Sequence, residues 1–410
     1  MKTTLRNDGR SATMSFIRLC LPLSLLLTSA CSDKGGVAGN AAFTPEDPNF
    51  IVVAANELPP RTDQSIDQSP QRLDALIDEA ISKGDDQRDP RYYGYAEGMV
   101  RQRLQHHAED VALLLTLADL LQKQHAFDEA RRIYEQVIEL APANPQAYLS
   151  SAMLARQRGD FKQMERYCKQ LVTRTTAEIA AICLFTAQGL QGRLESSYQR
   201  LSVLFDRPLL PVILGWALQE AAEMAQRLGR YEQAEAHWGA ALEVSKGSVP
   251  PAELLAAIAD YYRHRQQPSE IIALLTNETE MPALAMRLAA AEIALATASN
   301  NNPDALRASW IERLQPWLEL WTVRGEQSHG GELAFYLFAV KGDAAAALAP
   351  AFEQWSERKE PQDTLLLLEI IASLEVESAE SRQSLRAVQA WQRQSAYEDQ
   401  RLLSLLESGS

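Results

Sequence analysis

Within its 410 residues the chain has little that breaks a helix and nothing that sustains a sheet. Glycine and proline number 19 each, too few for a collagen-like or low-complexity chain. No segment keeps up an alternation of apolar and polar residues, so none qualifies as a half-buried strand. Catalytic signatures are missing as well. There is no Gly-x-Ser-x-Gly elbow, no phosphate-cradling glycine loop and no Gly-x-Gly-x-x-Gly. None of the six histidines (His106, His107, His125, His237, His264 and His329) stands in a His-Glu-x-x-His or Cys-x-x-Cys context. Neither a metal site nor a cofactor is therefore expected. Basic charge is also short: 40 basic residues face 54 acidic ones, a net charge of −14. Four of those basic residues (Lys2, Arg6, Arg10 and Arg18) lie in the first thirty positions beside a single acid, Asp8, so the rest of the chain is more acidic still. Such a surface repels nucleic acid and anionic lipid, and neither is expected as a partner.

What is present is helical periodicity, clearest from Val111 to Asn144. Leu114, Leu117, Leu121, Phe127 and Ile133 supply bulk there, while Ala118 and Ala130 are small where two antiparallel helices would cross closely. Leu117, Ala118, Phe127, Ala130, Tyr134, Val137 and Pro142 resemble, position by position, the tetratricopeptide repeat, a 34-residue helix–turn–helix unit. His125 occupies the turn position where glycine is usual. Gly159, Gly192 and Gly229 recur at the same place, 34, 33 and 37 residues apart. One such hairpin cannot bury both of its faces, so the pattern implies a stacked array. Beyond residue 250 the period blurs, but hairpins continue: Leu254–Arg265 with Ser269–Thr276, Pro282–Ala298 with Asp304–Trp321, Glu332–Val340 with Asp343–Trp355, and Thr364–Leu374 with Glu380–Leu406. The expected fold is all-α, a solenoid of seven or eight hairpins with diverged outer repeats as caps.

The N-terminus reads as an export segment. Arg18 precedes an apolar run, Leu19 to Leu27, that is too short to span a bilayer permanently. Leu27-Thr28-Ser29-Ala30-Cys31 resembles a bacterial lipobox, with Thr28 where an aliphatic residue is commoner. The resemblance implies acylation of Cys31, and Ser32 after it implies sorting to the outer membrane, periplasmic face. Met1 and Met14 both remain possible starts. Ser32–Ala42 has the composition of a flexible tether, and Phe50-Ile51-Val52-Val53 suggests an extended piece laid over the first helices. The organisation expected is a lipoprotein signal peptide (1–30), lipidated Cys31 and tether (31–69), an N-terminal hairpin (70–110), the repeat array (111–247) and C-terminal repeat-like hairpins (248–410).

Leu73, Leu76, Ile77, Ala80 and Ile81 predict a helix ended by Gly84-Asp85-Asp86. Asp89 and Pro90 open the next, in which Gly94 and Gly98 share one face and allow close packing. The run Asp89-Pro90-Arg91-Tyr92-Tyr93-Gly94-Tyr95-Ala96 ahead of Leu121-Gln122-Lys123-Gln124-His125-Ala126-Phe127 resembles a set of proteobacterial tetratricopeptide-repeat lipoproteins.

In such repeats the first helix of each hairpin lines the concave face. The resemblance implies a protein-binding groove formed by Asp119, Gln122, Lys123, Gln146, Met153, Arg156, Gln157, Gln219, Glu223, Gln226 and Arg227, with Leu115, Leu149 and Trp216. Amides, scattered charges and a methionine suit an extended peptide or a partner's helix. The expectation is a non-enzymatic scaffold with a protein partner in the cell envelope, touching membrane only through its lipid. An envelope hydrolase with an unrecognised site is the alternative. Cys168 and Cys183 fall on neighbouring helices across one tight turn, a spacing that allows either a disulfide or two buried free thiols.

Overall fold

The computed structural model describes residues 70–87, 90–246, 250–324 and 329–408, all within one unit, residues 51–410. The export segment, Cys31, the tether and the Phe50–Val53 run lie outside the described residues. Among those described there are nineteen α-helices and no strand. None of the helices is long and apolar enough to cross a membrane.

The helices pair in chain order. The first hairpin is α1 (Pro70–Gln87) with α2 (Pro90–Leu104), and the repeat read in the sequence is α3 (Val111–Lys123) with α4 (Phe127–Leu140). Three more hairpins complete the array: α5 (Pro145–Gln157) with α6 (Phe161–Leu171), α7 (Ala177–Gly189) with α8 (Leu194–Ser202), and α9 (Pro211–Arg227) with α10 (Tyr231–Val244). Then follow α11 (Ala252–His264) with α12 (Pro268–Leu275), α13 (Pro282–Ala298) with α14 (Pro303–Arg324), and α15 (Gly330–Phe335) with α16 (Ala344–Glu357). A π-helical turn, Tyr336–Val340, extends α15. The chain closes with α17 (Pro361–Ala372), α18 (Ala379–Ser395) and α19 (Gln400–Ser408). The fold is an all-α solenoid.

Local chemistry starts and stops these helices. The carboxylate of Asp110 accepts the N–H groups of Ala112 and Leu113 at 3.0 and 3.2 Å, and Asn144 caps α5 in the same way. Removing such a cap typically costs about 1 kcal/mol. Each array turn holds one residue in the left-handed region: His125 (φ 61°), Gly159 (71°), Gly192 (76°) and Gly229 (70°). Gln266 (54°) and Gly342 (76°) continue the series. Between the helices, Leu117, Ala118, Phe127, Ala130, Tyr134 and Val137 are buried, the two alanines and the last two residues completely.

Several expectations are corrected. Helix α1 does not end at Gly84 but runs to Gln87. Gly94 and Gly98 are exposed, and no neighbour comes closer than 3.7 Å to where a Cβ would sit. The glycine that permits close approach is Gly84, where a Cβ would lie 2.5 Å from the Tyr93 ring. The expected helix Glu380–Leu406 is broken, because Ala396 turns left-handed (φ 56°). Asp399 restarts it, accepting the Arg401 N–H at 3.0 Å.

The largest correction concerns the end of the chain. The last helices are not an outer cap but fold back onto the array. One apolar cluster joins Tyr148, Phe161, Met164 and Leu190 of the array to Leu365, Leu367, Val388, Tyr397 and Leu402 of α17–α19. Trp391 meets Phe161 edge-on at 5.9 Å, and the Lys359 N–H donates to the Gln157 carbonyl at 2.7 Å. The array's turns receive this segment closely. At Gly159 a Cβ would lie 2.8 Å from Trp391 Nε1 and 2.9 Å from Lys359 Cβ. Helix α17 is buried around most of its circumference (Thr364, Leu365, Leu366, Leu367, Leu368 and Ile370), as a helix enclosed by others must be.

Candidate functional site

The residues expected to line a continuous groove divide into three groups. The first belongs to the junction between array and last helices. Arg156 of α5 reaches across to α9, its guanidinium 2.6 Å from Glu220 and 2.7 Å from Glu223, with Glu360 at 3.9 Å. Thr186 of α7 and Leu190 just after it lie in the same cluster and are buried. At this level the Arg156 side chain bridges α5 and α9 across the middle repeat. Arg227 is 2% exposed and donates to the carbonyls of Gly189 (2.7 Å) and Glu398 (2.9 Å), while its guanidinium lies 4.4 Å from the centre of the Tyr397 ring. Gln226 is buried too, and accepts from Arg401 at 3.0 Å. Gln226 and Arg227 therefore bind the chain's own C-terminal part, Arg156 and Glu223 hold each other beside Glu360, and none of the four is open groove surface. The physical reason is the return of the last helices, which brings Glu360, Tyr397, Glu398 and Arg401 to the ends of α5 and α9.

A second group is tied to its own hairpin and the two beside it. The Tyr134 hydroxyl lies 2.5 Å from Asp119 Oδ1 and 3.0 Å from Gln122 Oε1. Burial raises Asp119 above the ordinary carboxylate range against these bonds, and burial with the Asp119 charge raises Tyr134. Gln122 also donates to Gln157 at 3.1 Å. Lys123 is exposed but pairs with Asp85 and lies 4.9 Å above the Tyr93 ring.

The third group stays accessible. Gln146 is exposed, and Leu149 and Met153 are half-buried on the same face of α5. Trp216 and Gln219 on α9 are half-buried as well. Trp216 Nε1 donates to Glu220, the carboxylate that also holds Arg156. Met153 lies one turn before Arg156, so these residues form a lane beside the sealed junction. Ile179 of α7, half-exposed at the corresponding place, was not foreseen, because the third repeat is too degenerate to align by eye.

Another polar cluster escaped sequence reasoning. A cavity of about 100 Å³ is lined by Asp260, Arg263, Arg287, Glu332, Arg358 and Asp363 among others. Arg287 forms a two-pronged pair with Asp260 at 3.0 and 2.7 Å. Arg263 pairs with Glu369 of α17 at 2.7 Å, and His264 approaches the same carboxylate at 3.1 Å. Burial would raise Glu369, but Arg263 and His264 outweigh it and hold the carboxyl down at about 2. Asp363 goes the other way. Burial, with Glu360, Glu332 and Asp260 nearby, pushes it up to about 7 despite Arg358. The sequence carried one signal for this region: Thr364-Leu365-Leu366-Leu367-Leu368 is apolar on every face, the mark of an enclosed helix.

No group of three or more histidine, cysteine, aspartate or glutamate side chains is arranged to hold a metal among the described residues. Cys168 and Cys183 are joined as a disulfide, with Cα atoms 5.5 Å apart, and both are fully buried between α6 and α7.

A stacked helical-hairpin array with a partly sealed inner face is thus the class of structure. Comparison with known proteins adds the repeat type: residues 111–144, which are α3, α4 and the turn between them, match the tetratricopeptide repeat family model. Solved structures similar to this chain include MamA from MSR-1, 21% identical, covering 43% of this chain and 97% of its own with a TM-score of 0.30. A tetratricopeptide repeat protein from Parabacteroides merdae is 15% identical, covering 62% and 98%, with a TM-score of 0.37. The TPR domain of P58(IPK) is 15% identical, covering 82% and 97%, with a TM-score of 0.25. Likenesses this loose carry no argument about site or partner. Comparison with curated proteins returns no match.

Proposed function

We propose that this protein is a non-enzymatic scaffold, held at the periplasmic face of the outer membrane by lipid on Cys31. Its array would bind a protein partner as an accessory subunit of an envelope complex. The observation that carries the binding reading is the accessible lane of Gln146, Leu149, Met153, Trp216 and Gln219. An apolar floor with flanking amides suits the apolar face of a partner's helix, which burial would hold and the amides would orient. The tetratricopeptide repeat at 111–144 supports the same reading. The lipobox resemblance supports the address.

Capture by crosslinking from membranes tests the lane. Replacing Gln146 with Lys and Leu149 with Asp places charge where the partner's apolar face would lie, while neither side chain is deeply buried. Stoichiometric capture should be lost with helicity unchanged. Capture at the wild-type level would move binding away from this face. Cys31→Ala tests the address separately: the protein should leave the outer-membrane fraction or remain unprocessed, and continued retention through a carbonate wash would refute lipid anchoring.

A further inference from the structure

The junction between array and last helices crowds three carboxylates onto one arginine. Around Glu223 stand Arg156 from α5, Glu220 and Arg227 from α9, Glu360 just before α17, Tyr397 from the break before α19 and Arg401 from the start of α19. Arg401 is already neutralised by Asp399, which it meets at 2.7 and 3.0 Å. Arg156 is therefore shared among Glu220, Glu223 and Glu360, while Arg227 gives its hydrogen bonds to the Gly189 and Glu398 carbonyls and Arg358, which also faces Glu360, lies 3.5 Å from Asp363. The site has little water to screen these charges: side-chain exposures are 14% for Arg156, 7% for Glu220, 22% for Glu223 and 12% for Glu360. One oxygen, Glu223 Oε1, is buried with no hydrogen-bond partner. A proton on Glu223 would relieve this crowding of carboxylates and give the unpartnered oxygen a hydrogen to donate.

We propose that this junction is a proton-linked latch: the last helices hold to the array more tightly as pH falls and loosen as it rises. Separating the two parts takes Glu360 away and returns water to Glu223, so the closed form binds more protons than the open one. Burial first, then Glu220 and Glu360, raise Glu223 against the pull of Arg156 and Arg227, in keeping with that sign. A carboxyl raised in the closed form stabilises it fully below the ordinary value and loses the effect as pH climbs through the raised one. Asp363, whose neighbours are Arg358, Glu360, Glu332 and Asp260, acts in the same direction up to about 7. Two groups act otherwise. Glu369 contributes a constant amount above its ordinary 4.5 and loses it only as pH falls towards about 2, below the working range. His125, lowered by burial and by Arg358, opposes the latch below 6.5. The proposal concerns contacts within the chain and does not depend on the partner assigned above.

The test compares the wild-type chain with Glu223→Gln by hydrogen exchange from pH 5 to 8, corrected for intrinsic exchange. The readout is the opening constant of residues 357–372 and 379–408. Taking the ratio of the two proteins cancels the His125, Asp363 and Glu369 contributions. In the pH range where Glu223 gives up its proton, the wild-type constant should rise relative to the variant by up to roughly tenfold per pH unit. Helices α3 and α4 should show no such trend. If the variant misfolds by circular dichroism, Glu360→Gln takes its place with both compared proteins carrying Asp363→Asn, because Glu360 also raises Asp363. A ratio that stays constant from pH 5 to 8 overturns the latch.

Discussion

Arg227 separates the groove expected from sequence from the junction seen in the structure. A solvated groove arginine could be truncated at almost no cost to stability. In the structure, Arg227→Ala removes two charge-assisted hydrogen bonds, to Gly189 and Glu398 carbonyls at 2.7 and 2.9 Å. Each such bond is worth about 1.5–3 kcal/mol. The contact with the Tyr397 ring at 4.4 Å adds about 1–2 kcal/mol when desolvated. Part of this is offset because the buried guanidinium no longer has to be kept from water. The net cost should therefore fall near 3–5 kcal/mol, the range for breaking a buried charged network. Arg227→Lys should recover only part of it, since an ammonium lacks the fork that reaches both carbonyls. Urea unfolding followed by circular dichroism, with hydrogen exchange of residues 379–408, measures both the size and the place of the loss. A change below about 1 kcal/mol for Arg227→Ala, with exchange unaltered in α18 and α19, would refute the argument that this arginine joins the last helices to the array.

Further outcomes are expected elsewhere. Gly159→Ala should destabilise by about 1–3 kcal/mol, since φ is 71° and the new Cβ would crowd Trp391 and Lys359; an unchanged melting temperature would contradict it. Alkylation of the unfolded mature protein without reductant should leave Cys168 and Cys183 unlabelled, and reduction should cost about 3 kcal/mol for a loop of this length. Asp363→Asn should match wild type near pH 4 but melt higher at pH 8, because the raised carboxyl loses its contribution as pH rises through about 7. Melting curves for the two proteins that run parallel across that range would sink this last expectation.

The array was legible because its determinants are local. Ala118 and Ala130 at the crossing, Phe127 and Tyr134 between helices, and one turn residue per hairpin are read from spacing alone. His125 shows how specific that spacing is: it takes the left-handed turn with φ 61° although it is not glycine. The accessible lane was legible for the same reason, since Gln146, Leu149 and Met153 follow from the face of a single helix. Arg156, Glu223, Gln226 and Arg227 were placed on the right helices and the right face, but their surroundings were not. Two local signals were available and carried more than the periodicity did: the apolar circumference of α17, and Asp399 as a helix start.

Sequence by itself therefore determined the helices and their pairing up to α17, the turn positions and the all-α solenoid, because hydrophobic period and capping act within about one helical turn. The export segment and lipobox proposed for the N-terminus rest on linear sequence signals of the same local kind. Only tertiary structure decided that the inner face is sealed over its middle repeat and occupied by the chain's own end. That outcome depends on contacts such as Arg158 with Glu357 and Arg227 with Glu398, which are 199 and 171 residues apart. Small rotations between successive repeats, summed along the solenoid, decide whether such pairs meet. No single hairpin encodes that sum.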